Sequence, residues 1–416
     1  RQWLRWFCCL RLWGRGKAEI RGMREMKNDE LLILENPFTY RDKYYKRRIR
    51  LSTCNDNGRK LKCFLIEYHK KVITGTGMRD IIHLLHYTVV KYSALKYPIM
   101  LDIGETSFND KLVYIVLECV IHIVMEKYHR KVYICYKVTD SIWTEGFKYS
   151  CLNNVNDGFD IFEKKFKYDL DRKHFRKVFT YQDYCDKKCL SKLMTDIRCF
   201  LKNNCINESS VDELTEVLIE LVGNSGEHAK TDCLIDLDLT DDTYKSTADD
   251  LDNYYGLNAC VVNFSKELFY VPLMNKMKLS QEVNERHIWV KKAKNNHERF
   301  FSDKYTEKDF YTISSFQDKI SGSIQKDKTG GRGLTSLISS LGEKASDQLC
   351  YMASGNRALF FYADHMRFNK EEFIGFNKNN DYINSIPEDG VIRDVDVYLP
   401  GTMYNLSYVI KKESIE

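Results

Sequence analysis

Proline is scarce, at five in 416 residues, and no Gly/Ser-rich linker or simple repeat interrupts the chain. Nothing in the composition therefore marks a flexible spacer or a repeat array. Long apolar runs are also missing. The longest, Leu112 to Met125, contains Glu118 and His122 and is too short to span a bilayer, so it predicts a buried helix. Charge of one sign is missing too, once its location is considered. The formal +5 resides in residues 1–21, which hold six bases and one acid, while the rest of the chain holds 58 of each. A neutral body excludes a large basic surface for duplex DNA or anionic lipid, so neither nucleic acid nor membrane is expected as a partner.

Three of the five tryptophans (Trp3, Trp6, Trp13) also sit in that opening stretch, and the first methionine is Met23. Residues 1–22 are accordingly expected to be a non-native leader, with Met23 or Met26 as the natural start. Arg5 and Arg11 interrupt the apolar run that a signal peptide would need. The 43% hydrophobic and 13% aromatic content excludes wholesale disorder. The length favours two domains. Fourteen cysteines are irregularly spaced, and the tightest group (Cys185, Cys189, Cys199, Cys205) fits no common zinc pattern. Small buried thiols in a reducing cytoplasm are expected.

Residues 31–165 read as a smaller α/β domain. Leu61–Tyr68, Pro98–Asp102 and Val132–Val138 have strand character, and Asn109–Lys127 is the helix between the last two. This strand–loop–helix–strand unit resembles STAS-like domains, whose phosphoswitch serine precedes the helix. Here that place reads Asn109-Asp110-Lys111, with Ser107 too early, so the switch chemistry does not carry over, and an unrelated α/β interaction domain remains equally open.

The second domain is expected over 166–416. "KHFRKVFTYQDYCDKKCLSKLMTDIRCFL" reads as a helix leading into it, with His174 a charged surface residue. A further helix begins at an N-cap Ser209 or Ser210. Its apolar positions Leu214, Val217, Leu218, Leu221 and Val222 leave Glu220, Asn224 and Glu227 or His228 on another face. Strands "CLIDLDL" and "NACVVNFS" follow, then a basic helical stretch, 266–328. The strands "QLCYMAS", "RALFFYA" and "GTMYNLSYVI" close the chain.

Glu220 and Asn224, at i and i+4, project together. A carboxamide oxygen is a hard neutral ligand for Mg²⁺, and a carboxylate can orient or deprotonate a water, although a polar helix face offers the same pair without function. Gly330, Gly331 and Gly333 lie just before a helix starting near Leu334. Glycines there let backbone N–H groups approach phosphates, and Lys326, Lys328 and Arg332 add positive charge. The spacing is not that of a Walker loop.

"ELVGNSGEHA" resembles the N-box of GHKL nucleotide-binding domains, with Ser225 in place of the usual Ala. "GGRGL" resembles their second glycine box, and "PGTMYNLSYVI" the Gly-Thr element that closes the site. The three elements, in the family's order, span roughly residues 170–412. The resemblance implies an α+β fold: a two-layer GHKL-type sandwich with a mixed sheet, preceded by the smaller α/β domain. It implies ATP and Mg²⁺ as ligands, with Asn224 holding the metal, Glu220 as catalytic base and His228 near the nucleotide. Lys328, Gly330, Gly331, Arg332, Gly333 and Leu334 would meet the phosphates, and Thr402 the base-side hydrogen-bond network. One departure concerns the D-x-G-x-G box, where this chain has Asn263 for Asp and Ser265 for Gly. An Asn carbonyl still accepts the adenine amino group, but its NH₂ offers donors, so discrimination weakens.

The expected function is an Mg-ATP-dependent conformational switch with slow hydrolysis, in a bacterial-type cytoplasmic protein. It would act on a protein partner through the N-terminal domain, or within a homodimer. The alternatives are an anti-sigma-type protein Ser/Thr kinase and a degenerate, non-catalytic interaction module. His83 and His86 share one helix face without a third ligand nearby, and are expected to pack rather than bind metal. The basic residues of 280–328, with Phe300, Phe301 and Phe310 among them, are expected to form a solvated lid helix.

Overall fold

The computed structural model describes residues 32–35, 47–56, 58–138, 142–240, 254–279, 285–318, 320, 334, 337, 340 and 350–411. The expected leader, the acidic loop after the first C-terminal-unit strand and the glycine cluster fall outside them. No helix among the described residues is long and apolar enough to cross a membrane.

The first unit is a five-stranded mixed sheet. Strands β1 (Ile49–Asp56) and β2 (Arg59–Glu67) form an antiparallel hairpin, and β2 runs parallel to β4 (Ile99–Phe108). The short β3 (Val72–Ile73) and β5 (Val132–Val138) also pair with β4 in parallel. Parallel neighbours need helical crossovers, supplied by α1 (Gly75–Lys91) and α2 (Lys111–Lys127). The expected strands and helix are thus present, with β4 running six residues further. On α2, every residue from Lys111 to Met125 is buried, because the helix touches β4 and β5 on one side and two strands of the second sheet on the other. A helix that is apolar all round has to be enclosed in this way.

That second sheet has six strands, all antiparallel, in the order β10-β11-β9-β8-β7-β6. They are β6 (Tyr168–Asp171), β7 (His174–Phe179), β8 (Cys233–Thr240), β9 (Tyr254–Asn263), β10 (Tyr351–Phe360) and β11 (Ile392–Lys411). Mixed pairing therefore belongs to the first unit; here β6 and β7 form a hairpin, while helical segments separate β7 from β8 and β9 from β10. One face packs on α5 (Lys187–Lys202) and α6 (Glu208–Asn224), which follow the short α4 (Tyr181–Cys185), while α3 (Phe159–Lys167) precedes β6 and packs Phe162 and Phe166 on the side of α2. Further helices α7 (Val271–Leu279), α8 (Glu285–His297) and α9 (Glu307–Ser314) extend that core.

Several expectations are corrected. Residues 174–179 form strand β7, not a helix, and His174 is buried. "YMASGNRALF" is one strand that passes through a bulge at Gly355 (φ +65°). The described part of the presumed lid is solvated on one side only: Lys291 and Lys292 are exposed as expected, while Val290, Ala293, Phe310 and Phe316 join the core and Arg357 pairs with Asp309. Cys185, Cys199 and Cys205 are exposed; on α5, Leu193, Ile197, Phe200 and Leu201 turn inward and leave Cys199 outside. His83 does pack, buried on α1, and burial pushes its imidazole down to about 4.

The face of the second sheet that meets α2 is ionic. Lys111 bonds Asp236 (2.7 Å) and Asp238; Arg176 bonds Glu118 and lies 3.2 Å from Asp236. His174 bridges Asp169 (2.9 Å) and Asp236 (3.1 Å) and stacks on Tyr149. The Leu112 N–H donates to Asn405 Oδ1 (3.1 Å), and Asp110 caps α2 by accepting from Val113 N–H. The Asn109–Lys111 position thus fastens α2 onto the second sheet. Burial alone would raise the Asp236 carboxyl, but Lys111, His174 and Arg176 hold it well below the usual range.

Candidate functional site

Helix α6 is capped by Asn207, whose side chain accepts from Ser210 N–H; it starts just before the expected serines because Asn is an equally good cap. Leu214, Val217, Leu218, Leu221 and Val222 face the core as expected. At Asn224 the α-helix gives way to one π turn, Ser225–Ala229, ended by Lys230 in the left-handed region (φ 54°). Such π turns concentrate at functional sites. A Cβ at Gly226 would run into the ring of Tyr184 on α4, so glycine lets α4 seat against the turn.

Glu220, Leu221, Asn224, Ser225, His228 and Ala229 form a two-residue-wide stripe along this helix and turn. They make one wall of a cleft that is open to solvent. Glu227 does not line it. The opposite side is built from Asn263 at the end of β9, Thr402 and Tyr404 on β11, and the following loop with Glu267, Leu268, Phe269 and Pro272. Leu334, which is helical, closes the cleft with Ile320 and Ser315. Of the expected site residues, Glu220, Asn224, His228, Asn263, Leu334 and Thr402 are brought together here. Lys328, Gly330, Gly331, Arg332 and Gly333 lie outside the described residues.

The corner of the cleft between β9 and β11 has a defined hydrogen-bond order. Thr402 and Asn263 are register partners between β11 and β9, and the Thr402 N–H donates to Asn263 Oδ1 at 2.7 Å. Gly401, at φ +86°, makes the bend that allows this; a Cβ there would meet the Asn263 carbonyl and the Ser265 nitrogen. Ser265, buried, accepts from Glu267 N–H (3.0 Å) and so shapes the loop, while Ser354 Oγ donates to Gly401 O (2.6 Å) and accepts from Phe269 N–H. The carboxamide of Asn224 has no hydrogen-bond partner among the described residues, which leaves its oxygen available to a cation. Burial raises the Glu267 carboxyl against the opposing charge of Lys230. No group of three His, Cys, Asp or Glu side chains suited to a metal occurs among the described residues, so any cation here would rely on Asn224 and on oxygens of its ligand.

Sequence reasoning missed Glu267, Leu268, Phe269 and Pro272. The available signal was the apolar run Leu268–Val271 directly after the strand that carries Asn263. Comparison with models of protein families, with curated proteins and with solved structures finds no match for this chain.

Proposed function

We propose that the chain is an Mg-nucleotide-binding regulatory protein of GHKL type, acting as a conformational switch with slow hydrolysis. One observation carries the reading: residues chosen from three separate sequence elements, Glu220 and Asn224, Asn263, and Thr402, line a single cleft. The antiparallel sheet, with α5 and α6 on the face that carries the cleft and α2 on the other, and the cleft's place at the end of α6 support it further. Asn224 offers a neutral oxygen donor that fits Mg²⁺; when bound, the ion offsets charge on a triphosphate. Glu220, one helical turn earlier on the same wall, is positioned to hold a water and take its proton. The apolar surface of Leu221, Phe269, Pro272 and Leu273 receives a flat base, and α6 carries the bound state into the sheet that it packs on.

The test is equilibrium binding of nucleotide with and without Mg²⁺. Native protein binds with Mg²⁺, Asn224→Ala loses that dependence, and Glu220→Ala keeps affinity but loses turnover. No binding by the native protein overturns the reading. Appearance of phosphate on a partner protein, in place of free phosphate, would identify a kinase instead.

A further inference from the structure

We propose that this cleft prefers a 6-oxopurine, hypoxanthine or guanine, over adenine, and that Asn263 sets the preference. The inference rests on the nucleotide reading of the cleft. A side-chain amide has one accepting and one donating end. In Asn263 the accepting end is committed: Oδ1 takes the Thr402 N–H at 2.7 Å, and the Gly401 bend crowds the same oxygen, since a Cβ on Gly401 would stand 3.0 Å from it. Turning the amide over would set its NH₂ against the Thr402 N–H, two donors face to face, with a buried donor left unsatisfied. The orientation is therefore imposed by backbone pairing between β9 and β11.

What remains for the ligand is the NH₂. Asn263 is only 4% exposed, lines the cleft, and its Nδ2 makes no hydrogen bond to any described residue. A donor in that place complements a carbonyl oxygen. A 6-oxopurine presents O6 there; adenine presents an amino group, which also donates. Adenine would leave two donors opposed in a buried corner, and sites of this kind reject such mismatches strongly. An aspartate would behave in the opposite way, because its second oxygen stays free to accept.

The experiment compares Mg-ITP with Mg-ATP by titration calorimetry on the full chain. The two nucleotides differ at position 6 and in the N1 proton that accompanies it. Native protein should bind ITP at least about tenfold more tightly, and GTP should follow ITP where the 2-amino group is accommodated. Asn263→Asp retains an oxygen for Thr402 N–H and should invert the order, with its melting temperature as the folding control. Equal or tighter binding of ATP by the native protein overturns the inference and leaves the nucleotide reading intact. Binding of neither nucleotide overturns both. The native comparison decides the matter even where the variant does not fold.

Discussion

Phe175, Ile235, Leu237, Leu257, Ala259, Val261 and Leu406 point from one face of the six-stranded sheet into a purely apolar layer beneath α5 and α6. From the other face, alternate residues of the same strands, His174, Arg176, Asp236, Asp238 and Asn405, meet Lys111 and Glu118 of α2. Both faces are equally dry, yet they are held by different physics. The apolar face is tolerant in kind: its free energy scales with area removed from water, and small misfits cost in proportion. The ionic face is tolerant only as a set. With His174 protonated, three buried cations (Lys111, His174, Arg176) balance three buried carboxylates (Glu118, Asp236, Asp238), and removing any one leaves charges that have no water to turn to.

The largest expected effect follows from breaking that set. Asp236 touches Lys111, His174 and Arg176, so Asp236→Ala should cost about 3–5 kcal/mol in urea unfolding. Replacing Arg176 and Glu118 together by Met and Gln should cost far less than Arg176→Met alone; equal costs would show that the pair is not a unit. Next, Leu218→Ala on the apolar side should cost about 2–5 kcal/mol. Its loss should change little around neutral pH, because burial raises the titratable groups of that layer, Cys233, Tyr404 and Tyr408, and keeps them uncharged there.

The smallest effect separates the faces by pH. Burial alone would lower the His174 imidazole, but Asp236 and the hydrogen bonds to Asp169 and Asp236 outweigh it and raise the group above its ordinary 6.5. A raised folded value means that the contribution is complete below the unfolded value and is lost as pH rises through the folded one. Melting temperature should therefore decline as pH rises above the ordinary 6.5 of an imidazole in the native protein. His174→Gln should remove that part of the decline, whereas Leu218→Ala should preserve it. An unchanged profile in His174→Gln would assign the pH dependence elsewhere.

The α6 stripe was legible because helical spacing alone places Glu220 and Asn224 on one side, and because Asn263 and Thr402 sit in segments that read clearly as strands. The ionic face was not legible. "HFRKVF" alternates in a way that fits a strand with one wet side, or the start of a charged helix, and nothing local to it announces that α2, some fifty residues earlier, covers it. Exposed Cys199 of α5 misled for a related reason: Cys counts as apolar in a periodicity, yet Leu193, Ile197, Phe200 and Leu201 already filled the inward stripe. The hydrogen-bond direction at Asn263 was also hidden, since it depends on which backbone N–H a bend at Gly401 delivers.

Helix α2 also imposes an order in time. Its Leu112 N–H is bound by Asn405, 293 positions later in the chain, and Lys111 finds Asp238 only after 127 more residues. At ribosomal speeds of about 5–20 residues per second, the interval before Asn405 emerges is roughly 15–60 s. Within it, β7, β8 and β9 are made and can meet Lys111 and Glu118, but the part of α2 that β11 covers waits for its strand. The last long strand completes the enclosure of this helix.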